Sequence, residues 1–178
     1  CIMRAGGPLV YADGAARAGV GALHHARGID RIIVRDGVEV QNNVLDNFAN
    51  MDDAKVEALI ELMIAEEMRP VPNFIHETPG YPRDWERQEE VLRTALEDRS
   101  LRAYHPQYAY EELVRFRTFV DEGEVLQRRL PGYENMKRFY RMFDAAGGQV
   151  LVGGDTNVSK LSGYAVHEEM EIMQEAGI

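Results

Sequence analysis

Apolar residues in this chain come in two alternating arrangements: brief continuous runs, and longer segments with helical spacing. Val20 to Leu23, Ile32 to Val34, Val71 with Phe74 and Ile75, and Val150 to Val152 are the brief runs. Bounded by glycine, proline or charge, they predict short buried strands. Between them, Val56, Leu59, Ile60, Met63 and Ile64 share one face of a helix that opens near Asp52 and turns an acidic face outward. Asn50 with Asp53 reads as its capping pair. Trp85, Val91, Leu92, Ala95 and Leu96 predict a second helix after Asp84, and Leu113, Val114, Phe116 and Phe119 a third after Pro106. Met136, Phe139, Tyr140 and Phe143 predict a fourth, between a Pro131–Gly132 turn and Gly147–Gly148. A last helix opens near Tyr164 with Met170, Met173 and Ala176 inward, and Asn42 to Asn50 reads as loop.

Strands alternating with helices, and no hairpin signature, predict an α/β chain of parallel βα units with helices covering the sheet. Two architectures fit, an open doubly wound sheet and a (β/α)8 barrel. Both place functional groups beyond the carboxyl ends of the strands. At 178 residues the chain suits one domain over residues 1–178. It is shorter than the roughly 250 residues of a full barrel.

Charge and composition narrow the partners. With 30 acidic residues against 20 Lys and Arg, a nucleic-acid partner is disfavoured. No apolar run approaches the length of a membrane span, so no membrane partner is expected. Cys1 is the single cysteine, which excludes a disulfide framework and a thiolate cluster and points to a reducing, cytoplasmic setting. A small-molecule substrate is the expected partner, and a homo-oligomer is compatible with the pattern. The missing initiator Met and the helical pattern running into Glu175 to Ile178 read as the ends of a fragment.

The polar candidates stand at strand ends. Asp155 follows the run in LVGGD, where a carboxylate can ligate a metal or take a proton from bound water, or else make an Asx-turn. His24 and His25 close the run ending at Leu23. Neighbours in extended chain point to opposite faces, so at most one of the two is expected to face a pocket, and a histidine there is otherwise a surface or hydrogen-bonded residue. His76 and Glu77 take the equivalent place in the next unit and either line a substrate pocket or cap a loop. His167, four residues before Glu171, either reaches back toward Asp155 or pairs along its own helix. Gly153 and Gly154 do not make a phosphate loop, because neither Lys-Ser nor Lys-Thr follows them.

LVGGDT followed by SGYAVHEEMEIMQEAGI resembles the closing barrel segment of metal-dependent amidohydrolases, in the subgroup of imidazolonepropionases and Xaa-Pro dipeptidases. AGVGALHHA is similar to the segment that supplies a metal-binding histidine from that family's sixth strand, and DDAKVEALIELMIAEEMRPVPNF to the following helix and seventh strand. The resemblance implies a partial (β/α)8 TIM-type barrel, roughly strands 6 to 8 with their helices. It implies an amidohydrolase that cleaves a C–N bond, in an amide, cyclic amide or peptide, with water activated by a divalent metal, zinc. It makes His25 and Asp155 metal ligands, gives Asp155 and His167 catalytic roles, and puts His76 and Tyr81 in the substrate pocket.

Departures from the family pattern are also visible. Gly154 replaces a threonine, His24 a glutamate and Ala26 a glycine. The family's first-strand His-x-His, fourth-strand lysine or glutamate and fifth-strand histidine have no counterparts. The chain therefore reads either as the C-terminal piece of a longer hydrolase or as a non-catalytic α/β protein or pseudoenzyme.

Overall fold

The apolar run before His24 becomes the central strand of a three-stranded parallel sheet in the computed structural model, which describes residues 1–4, 10–77, 94, 97, 98, 100, 103, 106–108, 111, 124–155 and 163–178. β1 (Ile2–Met3), β2 (Ala22–His24) and β3 (Arg69–Val71) lie in chain order. Ile2 is in register with Ala22, and Ala22, Leu23 and His24 with Arg69, Pro70 and Val71. Parallel neighbours require crossovers. α1 (Ala12–Arg17) makes the first, and α2 (Val44–Phe48) with α3 (Asp53–Ala65) the second. α4 (Phe74–Glu77) follows β3, and α5 (Glu124–Ala145) and α6 (Tyr164–Ala176) complete the described elements.

The helical spacing of α3 is realised as read: Val56, Leu59, Ile60 and Met63 are buried. Its cap is Asp52, which accepts from the Lys55 N–H at 3.1 Å, whereas the Asn50 amide turns back to donate to the Asp46 carbonyl. α2 forms where a loop was expected. Asn43 accepts from the N–H groups of Leu45 and Asp46, and burial of Val44, Leu45 and Phe48 supplies the apolar contact that so short a helix needs.

α5 runs straight through Pro131 and Gly132, where a turn was expected. A Cβ on Gly132 would collide with the Leu45 carbonyl, so glycine there lets α5 lie directly against α2. Tyr133, Met136, Phe139, Tyr140 and Phe143 are all buried along α5. Phe139 meets Phe48 edge-on at 6.1 Å between ring centroids, and Tyr140 meets Phe74 of α4 at 5.3 Å. The aromatic core thus ties α4, which sits at the sheet's carboxyl edge, to α5, the longest helix among the described residues.

Two expected strands are absent from the sheet. Ile32 to Val34 lie in turns, with one isolated bridge between Val34 and Met51. Val150 to Val152 run beside β3 with a backbone bond from the Leu151 N–H to the Pro70 carbonyl, and form no assigned strand. The helices expected around Trp85 to Leu96 and Leu113 to Phe119 lie outside the described residues, as does Tyr81.

These observations overturn the barrel. The described residues form six helices and a small open sheet of three strands, neither closed nor curled, rather than a partial (β/α)8 TIM-type barrel. Strands of two and three residues make too short a ladder to wrap, and Pro70 removes one donor from β3. The amidohydrolase assignment falls with the barrel, as does the classification of the chain as a zinc amidohydrolase enzyme. That family builds its centre on the mouth of a closed barrel, and the open sheet provides no such frame.

Candidate metal centre

Three chain segments converge at the carboxyl edge of the sheet: the end of β2, the link from β3 into α4, and the glycine-rich stretch ending at Asp155. Each turns there on a non-glycine residue with positive φ, namely His25 at 70°, Asn73 at 52° and Asp155 at 35°. Among the described residues only Glu67 shares this property outside the convergence. Side chains rarely adopt this backbone, and where they do the surrounding structure must hold them in place.

The turn at His25 has a direct consequence for the paired histidines. His24 is the last strand residue, and its neighbour leaves the strand at once, with the His25 N–H bonded to the Val71 carbonyl at 3.0 Å. Strand alternation therefore stops between them. The two rings stand edge to face at 4.4 Å, and both turn toward Asp155. The expectation that only one of the pair could face the pocket assumed an extended backbone that ends one residue too early.

One ligand atom each from His24, His25 and Asp155 lie within 4.8 Å of one another. His25 Nε2 is 3.4 Å from Asp155 Oδ2, and His76 Nδ1 is 3.3 Å from the same oxygen. Both separations are long for a hydrogen bond. They match the spacing of about 3.3 Å between two ligands on a tetrahedral ion whose bonds are about 2.0 Å. His25 is buried, His24 and Asp155 half-buried, and His76 more open. The two histidines and Asp155 are therefore placed to coordinate a divalent metal ion, with His76 at the outer side.

The electrostatics suit ligation. Burial pushes the His25 imidazole down from 6.5 to about 4; Asp155 opposes that shift, while His24, Arg4 and His76 add to it. Its lone pair is consequently free at neutral pH, as a metal ligand requires. The Asn73 side-chain nitrogen lies 3.1 Å from His24 Nε2, while Asn73 Oδ1 is buried without a hydrogen-bond partner. An unsatisfied buried amide oxygen beside three candidate ligands is the kind of cost a binding site carries.

Two further residues hold the arrangement. A Cβ on Gly153 would run into the Val71 side chain and come within 2.9 Å of Asn73 Oδ1 and 3.6 Å of His24 Nε2, so glycine alone lets Asp155 be delivered here. Glu169 of α6, fully buried, accepts from the N–H groups of Phe74 and Ile75 at 2.9 and 3.0 Å. A carboxylate on those two donors fixes the first turn of α4 and with it the position of His76.

His25, His76 and Asp155 are thus brought together. His167 stands exposed in α6, whose Ala165 and Val166 pack against Gly154. His24, Asn73, Gly153 and Glu169 were not singled out from sequence as parts of the centre. Glu169 carried a readable signal, because it falls in register with buried Ala165, Ile172, Met173 and Ala176. Met170, expected inward, is exposed.

Glu77, next to His76, is half-buried, and burial raises its carboxyl to about 7 despite the nearby charges of Arg27, Arg129 and Arg4. No helix among the described residues is long and apolar enough to cross a membrane. Compared with known proteins, the chain matches no family profile, no curated sequence and no solved structure.

Proposed function

We propose that this chain binds a divalent metal ion through His24, His25 and Asp155, and that its biochemical role is exercised at that ion. The observation that carries the proposal is the convergence of three ligand atoms within 4.8 Å at the edge of a parallel sheet. Two imidazoles and a carboxylate are a donor set that suits zinc among the common divalent ions. His24, His25 and Asp155 would hold the ion as three protein ligands, a number that in catalytic zinc sites keeps a further position for water or substrate. Such an ion would supply acidified water, and His76, whose Nδ1 lies 3.3 Å from Asp155 Oδ2, would be the neighbouring group to exchange a proton with it. Hydrolysis of a C–N bond in a small molecule, in a cytoplasmic setting, is the reaction proposed for this arrangement. A purely metal-binding, non-catalytic role is the alternative.

Calorimetric titration of metal-stripped protein with zinc tests the binding. One ion per chain is expected. Asp155→Asn or His25→Asn should weaken binding by more than the roughly 10- to 100-fold that loss of an outer partner costs. Wild-type affinity in both variants would reject the centre. Bound zinc with no release of amine from amide, cyclic amide or dipeptide substrates would leave the non-catalytic role in its place.

A further inference from the structure

The Asn73 side chain does not do what its place in the chain favours. It immediately precedes α4, where an asparagine ordinarily accepts from the free N–H groups of the first helical turn. Here the Glu169 carboxylate takes the N–H groups of Phe74 and Ile75, at 2.9 and 3.0 Å, and the His76 N–H goes to the Asn73 backbone carbonyl at 2.9 Å. The side chain is released from capping. It turns instead to the ring of His24, the last residue of β2, with its amide nitrogen 3.1 Å from Nε2.

The surroundings hold this amide closely. Asn73 is fully buried, and its φ of 52° is a backbone conformation that asparagine adopts more readily than most residues. Gly153 leaves the room, since a Cβ there would come within 2.9 Å of Asn73 Oδ1. That oxygen has no hydrogen-bond partner.

Which end of the amide meets the ring decides what His24 can do. An imidazole with one proton has one N–H and one lone pair. While the amide nitrogen donates to Nε2, that lone pair is occupied and the ring proton sits on Nδ1, so His24 has nothing to offer an ion. Turned end for end, the amide gives Oδ1 the donor it lacks, Nε2–H, and the lone pair moves to Nδ1. The two ends have nearly the same shape, so the turned amide fits the same space.

We infer that Asn73 is the positioning residue of the metal centre: its Oδ1 accepts from His24 Nε2–H and so presents Nδ1 to the ion. This rests on the reading of His24, His25 and Asp155 as ligands. A histidine bound to a metal ordinarily donates its other N–H to a carbonyl or carboxylate, which fixes the ring and raises its basicity.

The test is long-range proton–nitrogen NMR of the zinc-loaded full chain with isotope-labelled histidine, which reads the nitrogen that carries the proton and the nitrogen that binds the ion. His24→Asn identifies the His24 signals. A protonated Nε2 and a coordinated Nδ1 are expected. Asn73→Gly, which removes the amide and suits the positive φ, should weaken zinc binding about 10- to 100-fold in calorimetry and lose the single tautomer. Asn73→Asp, whose carboxylate only accepts, should keep Nε2–H and bind zinc at least as tightly as wild type. If Asn73→Gly does not fold, the wild-type spectrum and Asn73→Asp decide. Coordination through Nε2, or wild-type affinity and tautomer in Asn73→Gly, overturns the inference and leaves the metal centre standing. A chain that takes up no zinc refutes the centre itself, and this role with it.

Discussion

At the level of single residues, the centre depends on places where backbone and side chain are tightly constrained. Gly153→Ala puts a methyl group against Val71, Asn73 and His24. A loss of about 1–3 kcal/mol in unfolding free energy is expected from such overpacking, together with loss of zinc binding. Denaturant unfolding and calorimetry on one sample measure both; an alanine variant with wild-type affinity would mean that Asp155 is not delivered through that gap. Titration of two other residues gives opposing pH dependences. His25, lowered from 6.5 to about 4, is protonated more readily in the unfolded chain, so its contribution to stability falls as pH drops through that window. Glu77, raised from 4.5 to about 7, holds its proton better when folded, so its contribution is lost as pH rises through its own window. Between pH 4.5 and 6.5, Glu77→Gln should therefore make the slope of stability against pH more positive than in wild type, and His25→Asn more negative. Urea unfolding of metal-free protein at several pH values measures these slopes. Equal slopes in all three proteins would contradict the burial of both groups.

At the level of elements, α6 positions α4 through a buried carboxylate. Glu169→Ala leaves two buried N–H groups of α4 without their acceptor, at a cost of roughly 3–5 kcal/mol. Glu169→Gln keeps one acceptor oxygen and should lose less, with zinc affinity falling further than stability alone explains, because His76 and Asn73 flank the displaced turn. Hydrogen exchange at Phe74 and Ile75 reports the same event. Unchanged protection of those amides in Glu169→Ala would refute the link. This element also marks where sequence patterning succeeded and failed. The spacing of Val56, Leu59, Ile60 and Met63 fixed α3 because four apolar side chains on one face outweigh any local alternative. α2 stayed hidden because five residues carry too little periodicity to read, and its burial against α5 is a tertiary effect. Pro131 and Gly132 read as a turn because their usual role is one; here the glycine permits close helix packing instead.

At the scale of the whole molecule, the runs ending at Leu23 and starting at Val71 marked two of the three parallel strands, while β1 was not read and the expected barrel is an open sheet. Short apolar runs say that strands exist, but whether they curl depends on how many pair, and Val150 to Val152 stayed out of the ladder with a bond to Pro70. Asp155 and the His24–His25 pair stood out by their strand-end positions, and the choice of His25 over His24 came only from the family resemblance. His24 was passed over because the positive φ of its neighbour, which brings the two rings to one side, leaves no trace in residue type. An ion joining β2 to the stretch before α6 should stabilise the fold as a unit. At 100 times its dissociation constant, zinc should add about 2.7 kcal/mol to unfolding, read as a rise in melting temperature that Asp155→Asn abolishes.

X-ray absorption spectroscopy of the zinc-loaded chain addresses the bound ion itself. A first shell at about 2.0–2.1 Å containing two imidazole nitrogens and a carboxylate oxygen is expected, reduced to one imidazole in either His24→Asn or His25→Asn. A shell without imidazole scattering, or one that neither histidine substitution alters, would contradict a centre built from His24, His25 and Asp155.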